Sequence, residues 1–427
     1  MRAVADILEH VSRLIVRPSG PLSGEVVIRG AKNSVLKLMA ACVLATGRYV
    51  LRNVPHISDV EHMRLLLEAM GIQTRWRDDD ALEVVRGDEV TPEAPYELVE
   101  RMRASSAVLG PLLASVGEAR VAMPGGDDFG SRPIDMHLQG LEAMGARFSL
   151  AHGVIEGVAP RLKGTEIVLE YPSVGATENL LMAGVLAEGR TTVHNAAREP
   201  EIADLAAFLN RMGGRILGAG SSVITIDGVD ELRAVEHRVI PDRVEVATFL
   251  SALGVAGGEL DLRGVRVDHL DLLIEKLGRM GMRISPEAEG LWAMSKGRPR
   301  PVDVATLPYP GLATDYLPVL VALQCFSTGT SYATENVFSG RFRYIGELAR
   351  MGARIRVEDH HLVIDGVERL SGAPVRAVDI RAGAALVVAA LGADGETVIS
   401  DAHHIDRGYE DFDARMRAIG ADVQRVD

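Results

Sequence analysis

Apolar residues recur along this chain at the spacing of one helix face, in stretches that each end at a glycine. The clearest stripes are Val60, Met63, Leu67 and Met70, then Ile202, Leu205, Leu209 and Met212, then Leu270, Leu273, Leu277 and Met280. Such spacing gathers the apolar side chains on one side, so each stretch predicts an amphipathic helix. Ser58 and Glu61, at the start of the first stripe, have the spacing of a capping box.

The glycines that follow these helices recur at nearly constant intervals. They are Gly71, Gly145, Gly213, Gly281, Gly352 and Gly420, and subtraction gives intervals of 74, 68, 68, 71 and 68 residues. A glycine suits the left-handed residue that ends many helices. Two short alternating segments joined by a polar turn follow, as in residues 354–357 and 362–364, and predict paired strands. The regular period predicts six copies of one unit.

Each copy also contains a segment that is apolar on nearly all sides, which predicts a helix buried inside a domain. These segments are residues 35–45, 107–116, 179–187, 247–256, 317–323 and 384–391. Their starts are polar and carry Lys32 with Asn33, Arg103, Ser173 to Thr177, Arg243, Thr314 with Asp315, and Arg381. Helix starts expose N–H groups and positive potential, so three starts facing one cleft would form an anion site.

Composition narrows the class of protein. The 427 residues suffice for two or three domains, and 47% hydrophobic with 25% charged residues is typical of a soluble globular protein. A net charge of -13 disfavours nucleic acid as a partner, and no apolar run reaches the roughly 18 residues of a membrane span. An anionic ligand would therefore require arginines and lysines gathered locally.

The two cysteines indicate a reducing compartment. Cys42 and Cys325 lie far apart in apolar runs, so we expect buried free thiols and a cytoplasmic protein. Residues 1–14 are interrupted by charges and lack the apolar core of a signal peptide. We expect them to form a short amphipathic extension.

One glycine-rich stretch, residues 124–137, combines groups that suit a loop closing over a substrate. Its three glycines permit positive φ, and Asp127 and Asp128 lie at its tip. Arg132 follows at a predicted helix start, with Pro133 at the first helical position. The stretch alone fits a plain surface hairpin equally well.

Strings of residues along the chain resemble the UDP-N-acetylglucosamine 1-carboxyvinyltransferases. Besides the loop through Arg132, they are residues 30–34, 171–179, 195–201, 241–243, 314–315, 335–338 with Arg341, 379–383 and 404–409. The resemblance runs in order from about Ile15 to the C-terminus. The related 5-enolpyruvylshikimate-3-phosphate synthases share the sixfold repeat but not these strings.

The resemblance implies an α/β fold, the two-domain inside-out α/β barrel of the enolpyruvyl transferases. Six βαβαββ repeats would be arranged as three per domain around buried helices. We expect an extension over residues 1–14 and a discontinuous domain of residues 15–31 plus 241–427. The contiguous domain would span residues 32–240 and carry the active-site loop 123–132, with the substrates between the domains.

The implied activity is transfer of the enolpyruvyl group of phosphoenolpyruvate to the 3-hydroxyl of UDP-N-acetylglucosamine, with release of phosphate. This is the first committed step of peptidoglycan biosynthesis. The reaction requires no redox cofactor and no obligate metal, so we expect neither. The two substrates are the only partners that the resemblance indicates.

The resemblance assigns cations to both charged ends of phosphoenolpyruvate. Lys32, Arg103 and Arg132 match positions near the phosphate, and Lys32, Arg341 and Arg407 match positions near the carboxylate. Guanidinium groups bind both anions through paired N–H bonds. Taken singly, each arginine also fits an ordinary surface salt bridge.

The resemblance also assigns residues to the nucleotide sugar. Asp315 matches the residue that contacts the 3-hydroxyl and is the candidate general base, although Thr314 and Asp315 also suit a helix cap. With it, the candidate catalytic residues are Asp127, Lys32 and Arg407. The other matching positions are Asn33 at the sugar, Arg132, Pro133, Ile134 and Asp135 near the uracil, Ser173, Val174 and Gly175 with nearby Lys163 at the diphosphate, and Val337 at the nucleotide sugar. Met136 and Arg381 match further substrate-binding positions.

Asp127 departs from the resemblance, because most members of the family have cysteine at this loop position. That cysteine is the group that fosfomycin alkylates, so we expect this chain to resist the drug. An aspartate there remains a candidate proton donor to C3 of phosphoenolpyruvate.

Two other functions fit the same pattern. One is an enolpyruvyl transferase with another acceptor, such as shikimate phosphate or a nucleotide, against which the nucleotide-sugar strings weigh. The other is a non-catalytic regulatory paralogue, against which the intact Lys32, Asp315 and Arg407 weigh.

Overall fold

The computed structural model describes residues 12–78, 80–100, 102–123, 134–338 and 340–426, with only the backbone of Arg103. These residues form two compact units. The contiguous unit contains the described residues between 30 and 240, and the discontinuous unit contains residues 12–29 and the described residues from 241 to 426. Each unit has an apolar core of its own.

The elements are short and alternate regularly along the chain. The strands are β1 Arg13–Arg17, β2 Leu22–Val27, β3 Gly47–Arg52, β4 Gln73–Asp78, β5 Ala81–Arg86, β6 Glu93–Ala94, β7 Glu118–Ala122, β8 Arg147–Ala151, β9 Val154–Val158, β10 Glu166–Val168, β11 Arg190–His194, β12 Arg215–Leu217, β13 Val223–Asp227, β14 Glu236–Arg238, β15 Gly258–Arg263, β16 Arg283–Glu287, β17 Gly290–Ser295, β18 Val304–Ala305, β19 Thr330–Thr334, β20 Arg354–Glu358, β21 His361–Asp365, β22 Leu370–Ser371, β23 Pro374–Arg376, β24 Ala393–Asp394, β25 Thr397–Ser400 and β26 Asp422–Val426.

The helices fall between these strands. They are α1 Lys32–Ala41, α2 Ser58–Ala69, α3 Tyr96–Val99, α4 Leu109–Ser115, α5 Asp135–Ala143, α6 Val174–Gly184, α7 Pro200–Arg211, α8 Arg243–Ala256, α9 Asp271–Met280, α10 Leu317–Gln324, α11 Arg343–Arg350, α12 Ile380–Ala390, α13 His403–Asp406 and α14 Phe412–Ala418. Short 3₁₀ helices cover Cys42–Leu44, Arg103–Val108, Val267–His269 and Thr314–Tyr316.

Within the described residues, six four-stranded sheets share one strand order. An outer strand pairs parallel with a second, which pairs antiparallel with a third, and the third pairs antiparallel with a fourth. The contiguous unit has β14-β3-β5-β4, β6-β7-β9-β8 and β10-β11-β13-β12, and the discontinuous unit has β2-β15-β17-β16, β18-β19-β21-β20 and β23-β25-β1-β26. The predicted sixfold repeat is therefore confirmed. The remaining sheet is the small pair β22-β24.

The apolar segments form the buried helices, as predicted. In the contiguous unit these are α1, α4 and α6, of which α4 and α6 pack together. In the discontinuous unit they are α8, α10 and α12, which pack against one another. Apolar side chains on all sides leave these helices no stable position except the interior. The six helix-ending glycines all have positive φ, from 87° at Gly71 to 112° at Gly213.

Two local predictions are wrong. Helix α2 begins at Ser58 itself with Ile57 as N-cap, and no described side chain caps it, so the capping box does not form. Glu61 instead accepts from Trp76 Nε1 at 2.8 Å. Strand β1 begins at Arg13, so the boundary expected at residue 14 is wrong, and residues 1–11 of the expected extension lie outside the described structure. Among the helices of the described ranges, none has both the length and the apolar character that a bilayer span requires.

Candidate functional site

In the discontinuous unit, the starts of the three buried helices lie together. Helix α8 begins at Arg243, whose Nη1 donates to the hydroxyl of Tyr316 at 3.4 Å. Tyr316 ends the 3₁₀ turn that leads into α10. From the start of α12, Arg381 Nη2 lies 3.3 Å from Asp315 Oδ2 in the same turn. The three polar starts are thus joined through residues 314–316.

Capping carboxylates fix two of these starts. Asp242 accepts from the backbone N–H groups of Val244 at 2.7 Å and Glu245 at 3.2 Å. Asp379 likewise accepts from the amides of Arg381 and Ala382, both at 2.8 Å. Caps of this kind satisfy N–H groups that a helix start leaves open, so the two backbones are held firmly.

Asp315 lies between two buried guanidinium groups. Arg341 Nη1 is 2.8 Å from its Oδ1, and Arg381 lies against its Oδ2. The arginine side chains are only 3% and 4% exposed, whereas that of Asp315 is 22% exposed. Asp315 is therefore the accessible member of this cluster. No described side chain caps the 3₁₀ turn or α10, which argues against the helix-cap interpretation of Asp315.

Both arginines remain charged in this buried cluster. Burial lowers the pKa of Arg341, but the nearby carboxylates of Asp315 and Asp379 raise it by more than burial lowers it. The pKa of Arg341 is therefore above its ordinary value. Burial also lowers the pKa of Arg381, and there Tyr409 and Asp315 outweigh it. The guanidinium carbon of Arg381 lies over the Tyr409 ring, 5.3 Å from the ring centroid.

Two further predicted residues of this unit lie in or near short turns. Val337 follows β19, is half-buried, and donates its backbone N–H to Glu335 Oε1 at 2.7 Å. Arg407 is the half-buried residue that ends α13.

In the contiguous unit, the start of α1 holds Lys32 and half-buried Asn33. Lys32 is 8% exposed, and its Nζ lies 2.7 Å from Oδ2 of the buried Asp59 on α2. Two residues on, Ser34 donates to Asp204 Oδ2 at 2.5 Å. Buried carboxylates thus fix the first turn of α1 from two sides.

The structure brings together the predicted uracil and diphosphate segments. Ile134 precedes α5, and Asp135 and Met136 are its first residues. The next residue, His137, packs so closely on Gly175 at the start of α6 that a Cβ there would lie 2.8 Å from the imidazole. His137 Nδ1 is 2.9 Å from Asn179 Nδ2.

The turn at the start of α6 is ordered by its own side chains. Ser173 is the N-cap, and its hydroxyl accepts from Ala176 N at 3.3 Å. Val174 and Gly175 are the first two helical residues. Free N–H groups at such a start suit an anion.

The structure contradicts the predicted position of Lys163 beside the diphosphate turn. It is exposed, and its backbone bridges Glu188, which follows the C-terminal end of α6. Eleven helical residues span roughly 16 Å, and the diphosphate turn is at the other end. Lys163 therefore does not lie beside residues 173–175, because chain proximity says little about which end of a helix a segment passes.

Some predicted residues lie outside the described structure. These are Asp127, Arg132 and Pro133, and of Arg103 only the backbone is described, at the start of a 3₁₀ helix. Within the described residues, no group of three or more His, Cys, Asp or Glu side chains is arranged to hold a metal ion.

Sequence reasoning gave no role to the buried polar partners Asp59, Asp204, His137 and Glu335, although His137 and Glu335 lie in stretches that it singled out. Asp59 and Asp204 occur within amphipathic helices, and both are at most 6% exposed. A carboxylate in an apolar stripe was the available signal, since buried carboxylates are nearly always paired.

Comparison with known proteins identifies the class. A family model described as EPSP synthase (3-phosphoshikimate 1-carboxyvinyltransferase) matches residues 16–416. The crystal structure of the enolpyruvyl transferase NikO from Streptomyces tendae superposes with a TM-score of 0.87 at 27% identity, covering 98% of this chain and 99% of NikO. Fold and sequence together define an enolpyruvyl transferase, as predicted.

Curated relatives show which family of enolpyruvyl transferases the chain belongs to. The UDP-N-acetylglucosamine 1-carboxyvinyltransferase of Gluconacetobacter diazotrophicus is 49% identical, covering 97% of this chain and all of the relative. UDP-N-acetylglucosamine 1-carboxyvinyltransferase 2 of Carboxydothermus hydrogenoformans is 48% identical with the same coverage. The chain belongs to the UDP-N-acetylglucosamine 1-carboxyvinyltransferase family.

Proposed function

We propose that this enzyme transfers the enolpyruvyl group of phosphoenolpyruvate to the 3-hydroxyl of UDP-N-acetylglucosamine and releases phosphate. The observation that carries the proposal is 49% identity, over nearly the whole chain, to a relative named for this reaction. The product would enter peptidoglycan biosynthesis. The cytoplasm is the proposed compartment, which the two free, buried cysteines support.

The proposed general base is Asp315. Its carboxylate is the accessible group of a cluster whose guanidiniums are almost wholly buried. The Asp315 side chain is 22% exposed, so a substrate hydroxyl can reach a carboxylate whose flanking guanidinium groups are buried. Asp315 would accept the 3-hydroxyl proton as the oxygen attacks C2 of phosphoenolpyruvate, and Asp127, the proposed acid, would donate a proton to C3. Loss of a C3 proton and of phosphate from the tetrahedral intermediate then gives the enolpyruvyl ether.

Cations are proposed to hold the two charged ends of phosphoenolpyruvate. Lys32, Arg103 and Arg132 would hold the phosphate, and Lys32, Arg341 and Arg407 the carboxylate. The buried Lys32–Asp59 pair supports this, because it fixes the ammonium group at a helix start. Arg341 faces Asp315 in the described structure, so its direct contact with substrate stays a prediction.

The nucleotide is proposed to bind where α5 and α6 begin. Contact between His137 and Gly175 joins residues 134–136, proposed for the uracil, to residues 173–175, proposed for the diphosphate. A diphosphate suits the open N–H groups at the start of α6. Asn33, Val337 and Arg381 are proposed to contact the sugar side of the ligand.

The test is phosphate release from phosphoenolpyruvate in the presence of candidate acceptors. We expect release that depends on UDP-N-acetylglucosamine and not on shikimate phosphate. Asp315→Asn keeps the shape but not the basicity, and should lower kcat by about 10²–10⁴-fold, the usual contribution of general-base catalysis. Release only with another acceptor, or full activity of Asp315→Asn, would contradict the proposal.

A further inference from the structure

Glu335 is a fully hydrogen-bonded buried carboxylate that none of the proposed catalytic steps uses. It directly follows β19, and only 1% of its surface is exposed. Its Oε1 accepts from Thr306 Oγ1 at 2.7 Å and from the amides of Val337 at 2.7 Å and Phe338 at 3.0 Å. Its Oε2 accepts from Thr314 Oγ1 at 2.7 Å. Three donors thus converge on Oε1 and one on Oε2, so both carboxylate oxygens are hydrogen-bonded.

The Oε2 contact leads directly to the proposed base. Because a carboxylate only accepts, the Thr314 hydroxyl must donate its proton to Glu335. The same hydroxyl then accepts from Arg341 Nη1 at 3.0 Å, and that nitrogen also donates to Asp315 Oδ1 at 2.8 Å. Glu335, Thr314, Arg341 and Asp315 therefore form one continuous chain with fixed donor directions.

The Oε1 contacts define the turn that carries Val337. Two consecutive amides converge on one oxygen, which closes residues 335–338 into a tight loop. Thr306 reinforces it, because its hydroxyl accepts from Asn336 N at 2.9 Å while donating to Glu335. Asn336 Nδ2 also donates to Thr306 O at 3.1 Å.

We propose that Glu335 is a positioning residue with two separable sets of hydrogen bonds, the Asp315 arm and the Val337 arm. Through Thr314 and Arg341 it fixes Asp315, and through the backbone amides it fixes Val337. This inference rests on the proposed function of those two residues. Misplacing a reacting group by about 1 Å can cost on the order of 10²-fold in rate, so such an anchor matters for turnover.

The first experiment distinguishes an effect on catalysis through Asp315 from a general effect on protein stability. Thr314→Val removes the hydroxyl at nearly constant shape, whereas Thr314→Ser retains it. Thr330→Val is the matched control, because it removes a 2.6 Å hydroxyl–carboxylate bond to Asp365 at the other end of β19. We expect Thr314→Val to lower kcat by about tenfold or more with nearly unchanged KM values, and both other variants to stay within about twofold of wild type.

The second experiment addresses the Val337 arm. Thr306→Val removes the hydroxyl that supports residues 335–338 and leaves Thr314 in place. If Val337 contacts the nucleotide sugar, KM for UDP-N-acetylglucosamine should rise severalfold while kcat falls less than in Thr314→Val. Glu335→Gln retains an acceptor for the amides but presents N–H groups to Thr314, so it should share the kcat loss.

The outcomes distinguish this inference from the proposed function. A wild-type enzyme that releases no phosphate with UDP-N-acetylglucosamine overturns both. An active wild type with Thr314→Val as active as Thr330→Val overturns the positioning role alone. Equal losses of kcat in Thr314→Val and Thr314→Ser also overturn it, because the serine keeps the hydroxyl. A kcat loss that is larger in Thr314→Val and Glu335→Gln than in Thr306→Val, with melting temperatures like that of the control, supports it.

Discussion

Glu178 is a buried carboxyl group with a strongly altered protonation equilibrium. It lies on α6 with 2% of its side chain exposed, and Lys37 Nζ on α1 is 3.0 Å from Oε2. Burial raises the pKa of Glu178 from 4.5 to about 7, although Lys37 opposes this. The native protein therefore holds this proton up to about pH 7, whereas the unfolded chain releases it near 4.5. The contribution of Glu178 to stability consequently falls as pH rises through that interval.

Glu178→Gln should remove this pH dependence. The variant loses the charge that Lys37 faces, so its absolute stability can differ from wild type at every pH. From pH 5 to pH 8, the free energy of unfolding of the variant relative to wild type should shift in favour of the variant by a few kcal/mol. Denaturant unfolding at several pH values measures this. Glu142→Gln, at an exposed position on α5, is the control, and a difference that is constant across pH would contradict the prediction.

Asp127 leads to a prediction about fosfomycin. We expect no covalent adduct on the wild-type enzyme, because Asp127 carries a carboxyl group at the position where the resemblance implies an alkylated thiol. The native thiols are poor nucleophiles, since both are buried and burial raises the pKa of Cys325 to about 12. Intact-protein mass spectrometry tests this. Asp127→Cys should gain one adduct, and a wild-type adduct would show the prediction to be wrong.

At the scale of elements, close approach between buried helices organises each unit. In the contiguous unit, Gly110 on α4 lies against α6 so closely that a Cβ would overlap the carbonyl oxygen of Asn179. The side chain of Asn179 strengthens this contact, because its Oδ1 accepts from Gly110 N at 2.8 Å. Backbone atoms on both sides leave little room for adjustment, so this glycine sets the spacing of the two helices.

Gly110→Ala should therefore destabilise the protein by about 1–3 kcal/mol, the usual cost of overpacking. Gly278→Ala is the matched control, because Gly278 is also helical, on α9, and a Cβ there meets nothing within 4 Å. It should raise stability by about 0.5–1 kcal/mol through helix propensity. Thermal melting curves compare them, and equal effects of the two substitutions would refute the packing argument.

At the scale of the whole molecule, the two ends of the chain complete one sheet. Strand β1 pairs antiparallel with both β25 and β26, so it is a central strand of the discontinuous unit. Leu14 and Val16 on β1 are fully buried in that core. The last repeat is thus assembled from residues about 400 positions apart in sequence, as the register Arg13↔Val426 shows.

Leu14→Ala should accordingly cost about 2–5 kcal/mol in spite of its place near the start of the sequence. Val426→Ala, on strand β26 at the edge of the same sheet, removes a side chain that is 44% exposed and should change stability by less than about 0.5 kcal/mol. Calorimetric melting of both variants measures the difference. Similar melting temperatures would show that β1 is not integral to the core.

The sequence by itself determined the repeated unit and the buried helices. A stripe of apolar residues ending at Gly71 or Gly281 depends on neighbours within a few turns, so periodicity and backbone freedom suffice to predict it. Resemblance supplied the family, because its motifs are specific strings of residues. The residue roles it implies at Asp127, Lys32 and Arg407 stay predictions.

Only the tertiary structure decided which polar groups meet. Asp315 pairs with Arg341 and Arg381, which are 26 and 66 positions away, and its alternative reading as a helix cap depended on neighbours alone. Lys163 is close to Ser173 in sequence yet lies at the opposite end of α6. Contacts between helix starts that are far apart in sequence depend on how the helices pack, so local sequence patterns do not predict them.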